Sequence, residues 1–148
     1  MAVQKSDGQM MLFRLDTILQ VKLGEVEKEP QRYQQRYEEV SAHLWGTTLG
    51  SIETLDRVRL EIHVEDDEGY IVDRLLREKR CGTVHKKNDH TYVYLAEVYN
   101  ASEMLPWIRT FIGRICRFNC SNKYVVRRFY EDLKKMDRLY GGDDHAVS

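Results

Sequence analysis

The run Met104-Leu105-Pro106-Trp107-Ile108-Arg109-Thr110-Phe111-Ile112-Gly113-Arg114-Ile115 constrains the fold of this chain more than any other stretch. Proline is tolerated in a first helical turn, where its missing N–H would have had no partner. Leu105, Ile108 and Ile112 recur at helical spacing, with Trp107 and Phe111 beside them. Gly113 supplies the left-handed residue that commonly closes a helix, and residues 114–118 read as a strand. A short helix, a glycine and a strand form the second half of a small α/β sandwich.

The first half lies upstream. Val58, Leu60, Ile62 and Val64 alternate with Arg57, Arg59, Glu61 and His63, the pattern of a half-buried strand. The acidic cluster Glu65-Asp66-Asp67-Glu68 favours a helix N-terminus through the helix dipole. It lacks the spaced oxygens and sharp glycine turn of a hard-cation loop. Ile71, Val72, Leu75 and Leu76 give the helix an apolar face, and Arg77, Lys79 and Arg80 suit its C-terminal end. Residues 81–86 and 91–99 form a hairpin around Lys87-Asn88-Asp89-His90, and Asn100 or Ser102 caps the helix that carries Pro106 and Trp107. The order over residues 56–118 is β-α-β-β-α-β, the split βαβ or ferredoxin-like order.

The flanks are simpler. Residues 1–4 and 9–13 read as strands separated by Lys5-Ser6-Asp7-Gly8, whose Asp-Gly pair is a hairpin signal, and residues 17–23 alternate apolar side chains as a further strand. Two or three strands alone are marginal in water, so this piece needs a partner surface. Gly24 and the charged stretch up to Pro30 break the sheet. Tyr33, Tyr37, Val40 and Leu44 then make an amphipathic helical stripe ended by Gly46 and Gly50. Val126, Phe129, Leu133, Met136 and Tyr140 give a C-terminal helix one apolar seam, and residues 141–148 read as a disordered tail.

The 148 residues allow one ordinary domain, or one domain with a fragment of another. A formal net charge of −1 excludes a globally basic nucleic-acid binder but leaves room for a local basic patch. No apolar run approaches the roughly 18 residues of a membrane span, and no basic region followed by an apolar run opens the chain. Neither a transmembrane span nor a signal peptide is expected, and the cytoplasm is the default location. Cys81, Cys116 and Cys120 are an odd number without metal-ligand pairing, and the five histidines are scattered. There is no phosphate-binding glycine loop, no His-Glu-x-x-His and no nucleophile elbow. No catalytic residue, metal or cofactor is expected, and the chain does not read as an enzyme.

One charge feature stands out. Between Met104 and Tyr130 lie six basic residues, Arg109, Arg114, Arg117, Lys123, Arg127 and Arg128, and no acidic one. Trp107, Phe111, Phe118, Tyr124, Phe129 and Tyr130 are interleaved with them. Arginine favours bidentate recognition of phosphate or carboxylate, and basic groups among aromatics suit a nucleotide or a single-stranded nucleic acid. A solvated helix face beside core aromatics gives the same pattern, and spacing alone favours it.

The Pro-Trp-Ile-Arg-x-Phe-x-Gly-Arg-Ile block at 106–115 resembles the C-terminal extension domain of the bacterial WYL-domain transcriptional regulators. Leu12-Phe13-Arg14-Leu15-Asp16-Thr17-Ile18 resembles the aromatic-Arg-Leu-Asp-x-Ile element near the end of the WYL domain itself, and His43-Leu44-Trp45-Gly46 resembles the connector between the two. The matches come in the family's order and cover roughly residues 1–119. The Trp-Tyr-Leu tripeptide and the helix-turn-helix region are missing, so the chain resembles the C-terminal portion of such a regulator.

The resemblance implies an α+β protein. Residues 1–29 are expected to be the last strands of a Sm- or SH3-like barrel, 30–50 a linker helix, 51–120 a ferredoxin-like extension domain, and 121–140 a C-terminal helix. It implies the effector-sensing and dimerisation portion of a regulator, a homodimer that does not read duplex DNA alone, with a nucleotide or single-stranded nucleic acid as effector. Arg14 is the implied effector contact and Asp16 its orienting or turn-closing partner. Arg109, Arg114 and Arg117 are further candidates for contact with a ligand or partner subunit. The alternative expectation is a ligand-free structural module that docks on a partner chain.

Overall fold

The computed structural model describes residues 1–3, 10–26 and 28–141 of the chain. It is a mixed α+β structure with two antiparallel sheets. β1 (Ala2–Val3) and β2 (Met10–Met11) form the smaller one, with Ala2 opposite Met11 and Val3 opposite Met10. The proposed turn at residues 5–8 lies outside the described residues, as do residues 142–148 of the tail. α1 (Pro30–Ser41) follows with proline in its first turn.

The larger sheet contains β3 (Asp56–His63), β4 (Thr83–Asn88), β5 (Thr91–Val98) and β6 (Ile115–Cys120), in the spatial order β4-β5-β3-β6. β5 is antiparallel to both β3 and β4, so those two run the same way on either side of it. β3 is likewise antiparallel to β5 and β6. α2 (Gly69–Glu78) makes the first crossover and α3 (Leu105–Arg109) the second, and α4 (Lys123–Tyr140) closes the described chain.

Alternation decides which face of the sheet is dry. Val58, Leu60 and Ile62 of β3 sit opposite Ala96, Tyr94 and Tyr92 on one side, and opposite Cys120, Phe118 and Ile115 on the other. That face packs on Ile71 and Leu75 of α2, Leu105 and Ile108 of α3, and Val125 and Phe129 of α4. Phe118 and Phe129 meet edge to face at 4.9 Å, a favoured aromatic geometry. The opposite face lies open, with Arg57, Thr83, His85, Glu97, Arg117 and Asn119 exposed.

Local chemistry sets the helix ends much as the sequence indicates. The Glu68 carboxylate accepts the Glu65 amide at 3.2 Å ahead of α2. Asn100 caps the 3-10 turn Ala101–Met104 by accepting the Ser102 amide at 3.0 Å, and Gly113 takes φ +90° after α3. Asn122 caps α4 through the Tyr124 amide at 3.1 Å.

Three expectations change. Residues 17–23 do not form a third strand: Leu15–Thr17 is a 3-10 turn, the segment beyond it has no regular structure, and Leu19 and Leu23 are fully exposed. Alternation makes a strand only where a neighbouring edge offers hydrogen bonds, and none of the described residues does so there. α1 ends at Ser41, before Leu44. The His43 and Leu44 amides bond three residues back to Val40 and Ser41, and the chain turns so that the His43 carbonyl accepts the Tyr99 amide at 3.1 Å. In α4 the seam is covered only in its first half: Val125 and Phe129 are buried, Val126 and Leu133 half-buried, Met136 and Tyr140 exposed.

Two glycines with positive φ separate conformational cost from close approach. Gly82 (φ +79°) joins α2 to β4, and a Cβ there would overlap the Leu95 carbonyl oxygen and lie 2.8 Å from the Ala96 Cβ. At Gly113 a Cβ meets nothing within 4 Å. Gly113→Ala is therefore expected to cost only the left-handed penalty of about 1–2 kcal/mol. Gly82→Ala adds displacement of β5 and is expected to cost about 3 kcal/mol or more. Urea denaturation midpoints compare the two; equal losses would show that the approach of Gly82 to β5 carries no energy.

Candidate functional site

The five residues singled out from the sequence fall in four places. Arg14 caps the Leu15–Thr17 turn, and its Nε and Nη2 donate to Asp16 Oδ1 and Oδ2 at 3.0 and 2.5 Å. The Thr17 amide and hydroxyl both bond to the Arg14 carbonyl. Asp16 thus fixes one edge of the guanidinium while the other N–H groups face water, the Arg14 side chain being 79% exposed.

Arg109 and Arg114 are committed to the fold. Arg109 at the end of α3 donates from Nη2 to the Asp132 carboxylate of α4, and its buried Nε has no partner among the described residues. Arg114 grips the Glu68 carboxylate with both terminal nitrogens, joining the start of β6 to the start of α2. Glu68 pushes the already high pKa of Arg114 further up, so this guanidinium stays charged.

Arg117 lies on the open face of the sheet, directly opposite Glu61 of β3, with no ion-pair partner among the described residues. Glu61 is only 5% exposed, because neighbouring side chains close over it. Arg59 Nε and Nη2 donate to Oε1 at 3.0 and 2.8 Å, and Lys87 Nζ donates to Oε2 at 2.9 Å. These bonds, Lys87 first and Arg59 second, hold the Glu61 carboxyl below its ordinary value of 4.5. Arg57 pairs loosely with Glu97 at 3.4 Å on the same face. Arg57, Arg59, Lys87 and Arg117 outnumber the two carboxylates, so the face has a cationic excess.

The sequence run of basic and aromatic residues does not assemble into one site. Phe111, Phe118 and Phe129 are buried, and Trp107 packs against the core. Tyr124 and Tyr130 are exposed, Tyr124 with Arg127 over its ring at 5.6 Å. Arg59, Glu61 and Lys87 were not singled out from sequence; the polar half of the 57–63 alternation was the available signal, and it reads the same on any solvated sheet face.

Among the described residues no group of three or more His, Cys, Asp or Glu side chains is placed to hold a metal ion. Cys81 and Cys120 are buried free thiols, which burial pushes up in pKa, and Cys116 is exposed. Among those residues no helix is long and apolar enough to cross a membrane.

Folding lowers the Glu61 pKa, so the unfolded chain takes up that proton first as the pH falls. The stabilisation from the Arg59–Glu61–Lys87 cluster is then full above about pH 4.5 and lost as the pH drops through the lower folded value. Glu61→Gln is expected to be less stable than the parent at pH 7, with the gap closing towards pH 3. Urea midpoints of both chains across that range measure it; parallel profiles would exclude Glu61 as a source of acid sensitivity.

No protein-family model matches this chain, and neither a curated protein nor a solved structure is significantly similar to it.

Proposed function

We propose that this chain is the effector-sensing and dimerisation portion of a cytoplasmic regulator of the WYL-domain type, acting as a homodimer and binding an anionic effector of the nucleotide or single-stranded nucleic-acid class. The reading includes a ferredoxin-like unit over residues 51–120. The all-antiparallel order β4-β5-β3-β6 supports it, since β-α-β-β-α-β connectivity leads to that order when each crossover skips one strand. On the same reading β1 and β2 belong to the last strands of a Sm- or SH3-like barrel, which suits a two-stranded sheet too small to stand alone.

The observation that carries the proposal is the state of Arg14. Its guanidinium is exposed, held at one edge by Asp16 and tied to no other element among the described residues. Such a group is aimed but uncommitted, which suits recognition of a phosphate or carboxylate. Arg117, without an ion-pair partner among the described residues, is the second candidate contact. Arg109 and Arg114 act here by fixing α3, α4 and α2 around the sheet.

A second reading, a ligand-free interaction module, draws on a different observation. Leu15, Leu19, Val21, Leu23 and Val26 are exposed along one segment, and Met136, Leu139 and Tyr140 along the end of α4. Apolar side chains grouped in this way mark docking surfaces.

Titration of the chain with fluorescent single-stranded DNA and RNA at two salt concentrations separates the readings. Saturable binding that weakens with salt is expected, and Arg14→Ala is expected to lower affinity about tenfold while leaving the fold intact, because an exposed ion pair contributes about 0–1 kcal/mol. A folded dimer that binds neither polymer would favour the interaction module.

A further inference from the structure

α1 carries two arginines one turn apart, Arg32 and Arg36, and the described residues offer neither a carboxylate within ion-pair distance. Like charges at this spacing face each other and destabilise a helix slightly. An anion lying between them would remove that repulsion. Around Arg36 the surface is concave on both sides. A cavity of about 300 Å³ is lined by Met10, Arg36, Val40, Leu49, Gly50 and Tyr99. A smaller one of about 120 Å³ is lined by Val3, Arg32, Tyr33 and Arg36.

The composition of these walls is specific. The larger cavity takes its apolar surface from Met10, Val40 and Leu49, the rest of its lining is polar, and Arg36 is the one cation among the described residues that line it. We propose that it is a binding site for a small oxyanion with an apolar ring body, the carboxylate or phosphate lying at Arg36, one helical turn from Arg32. Arg14 and Arg117, the effector contacts of the regulator reading, take no part in this site.

Charge fixes the orientation. Burial, and next the nearby Glu39 carboxylate, push the Tyr99 phenol up in pKa, so it stays a neutral hydroxyl. Glu39 disfavours an anion at the Tyr99 end. The charged group therefore goes to the arginines and the ring body to Met10, Val40 and Leu49. A cavity of this size accepts about ten to fifteen non-hydrogen atoms.

The test is isothermal titration calorimetry on the full chain with three probes of one shape: 2-naphthoate, 2-naphthyl phosphate and the neutral 2-naphthalenemethanol. At least one anion is expected to bind saturably and more tightly than the alcohol, and the tighter of the two identifies carboxylate or phosphate as the group recognised. Arg36→Gln is expected to weaken that anion about tenfold, the loss of one charged hydrogen-bonded contact, and to leave the alcohol unchanged. Arg36 is exposed on a helix and glutamine is a good helix former, so the variant keeps its fold, with circular dichroism as the check. Arg14→Ala is expected to leave naphthyl binding untouched. Two outcomes overturn the proposal: neither anion binds better than the alcohol, or Arg36→Gln binds the anion as well as the parent.

Discussion

Trp107 is the point on which the parts of this molecule converge. Its ring lies 4.8 Å from that of Trp45 in the linker, 5.3 Å from Tyr94 on β5 and 5.2 Å from Phe111 beyond α3. Its Nε1 donates to Glu78 at the end of α2, a carboxylate that also takes the Arg74 Nε at 3.0 Å. One side chain therefore touches the linker, the sheet and both crossover helices. Large aromatic side chains in such positions typically contribute about 3–5 kcal/mol on truncation, a sizeable part of the stability of a domain this small. The short helix with its proline and glycine stop places Trp107 there. The linker is then tied down around Trp45 by Arg80, which donates to the Trp45 carbonyl at 2.5 Å, and by Glu103, which accepts from Thr47 and Thr48.

That arrangement divides the arginines by role. On the helix side of the sheet a guanidinium meets a carboxylate from another element: Arg109 joins α3 to α4, and Arg114 joins β6 to α2. Removing either partner would strand a half-buried charge, so these pairs hold elements in register and are poor candidates for giving up a contact to a ligand. On the open side the Arg59–Glu61–Lys87 cluster satisfies its own carboxylate and leaves Arg117 over. Exposed Arg14 answers only to its neighbour Asp16. Uncommitted cations therefore sit at the margins of the fold.

How far the sequence showed this depends on what each residue needs for its conformation. Strand alternation at 57–64, the proline and glycine that bracket α3, and the cap at Asn100 depend on local chemistry, and they were legible. The 17–23 alternation depended on a partner edge that no described residue provides, so the same period-two signal gave no strand there. The end of α1 was misplaced because the Tyr99 amide, more than fifty residues away, draws the His43 carbonyl out of the helix. Pairing was less legible still: nothing local says that Arg114 finds Glu68 or that Lys87 reaches across β5 to Glu61. Arg32 and Arg36 read as part of a charged helix, and only the surrounding surface separates them from other solvated cations.

Tyr99 connects the linker to the open surroundings of α1. Its amide holds the His43 carbonyl, its ring meets the His43 ring edge to face at 6.1 Å, and its side chain lines the cavity beside Arg36. It also sits one residue before Asn100, whose cap starts the turn leading to Trp107. A molecule in the cavity therefore contacts the residue that sets where α1 joins the sheet domain. Coupling between that cavity and the rest of the chain requires only that the molecule bind one position of α1 more tightly than another, since a ligand shifts an equilibrium by its differential affinity and by nothing else. α1 has no buried residue of its own, so its position rests on the few contacts around His43, Val40 and Tyr99. With so little burial holding it, α1 depends on the hydrogen bond from the Tyr99 amide to the His43 carbonyl, and on the linker tied down around Trp45, for its place beside the sheet.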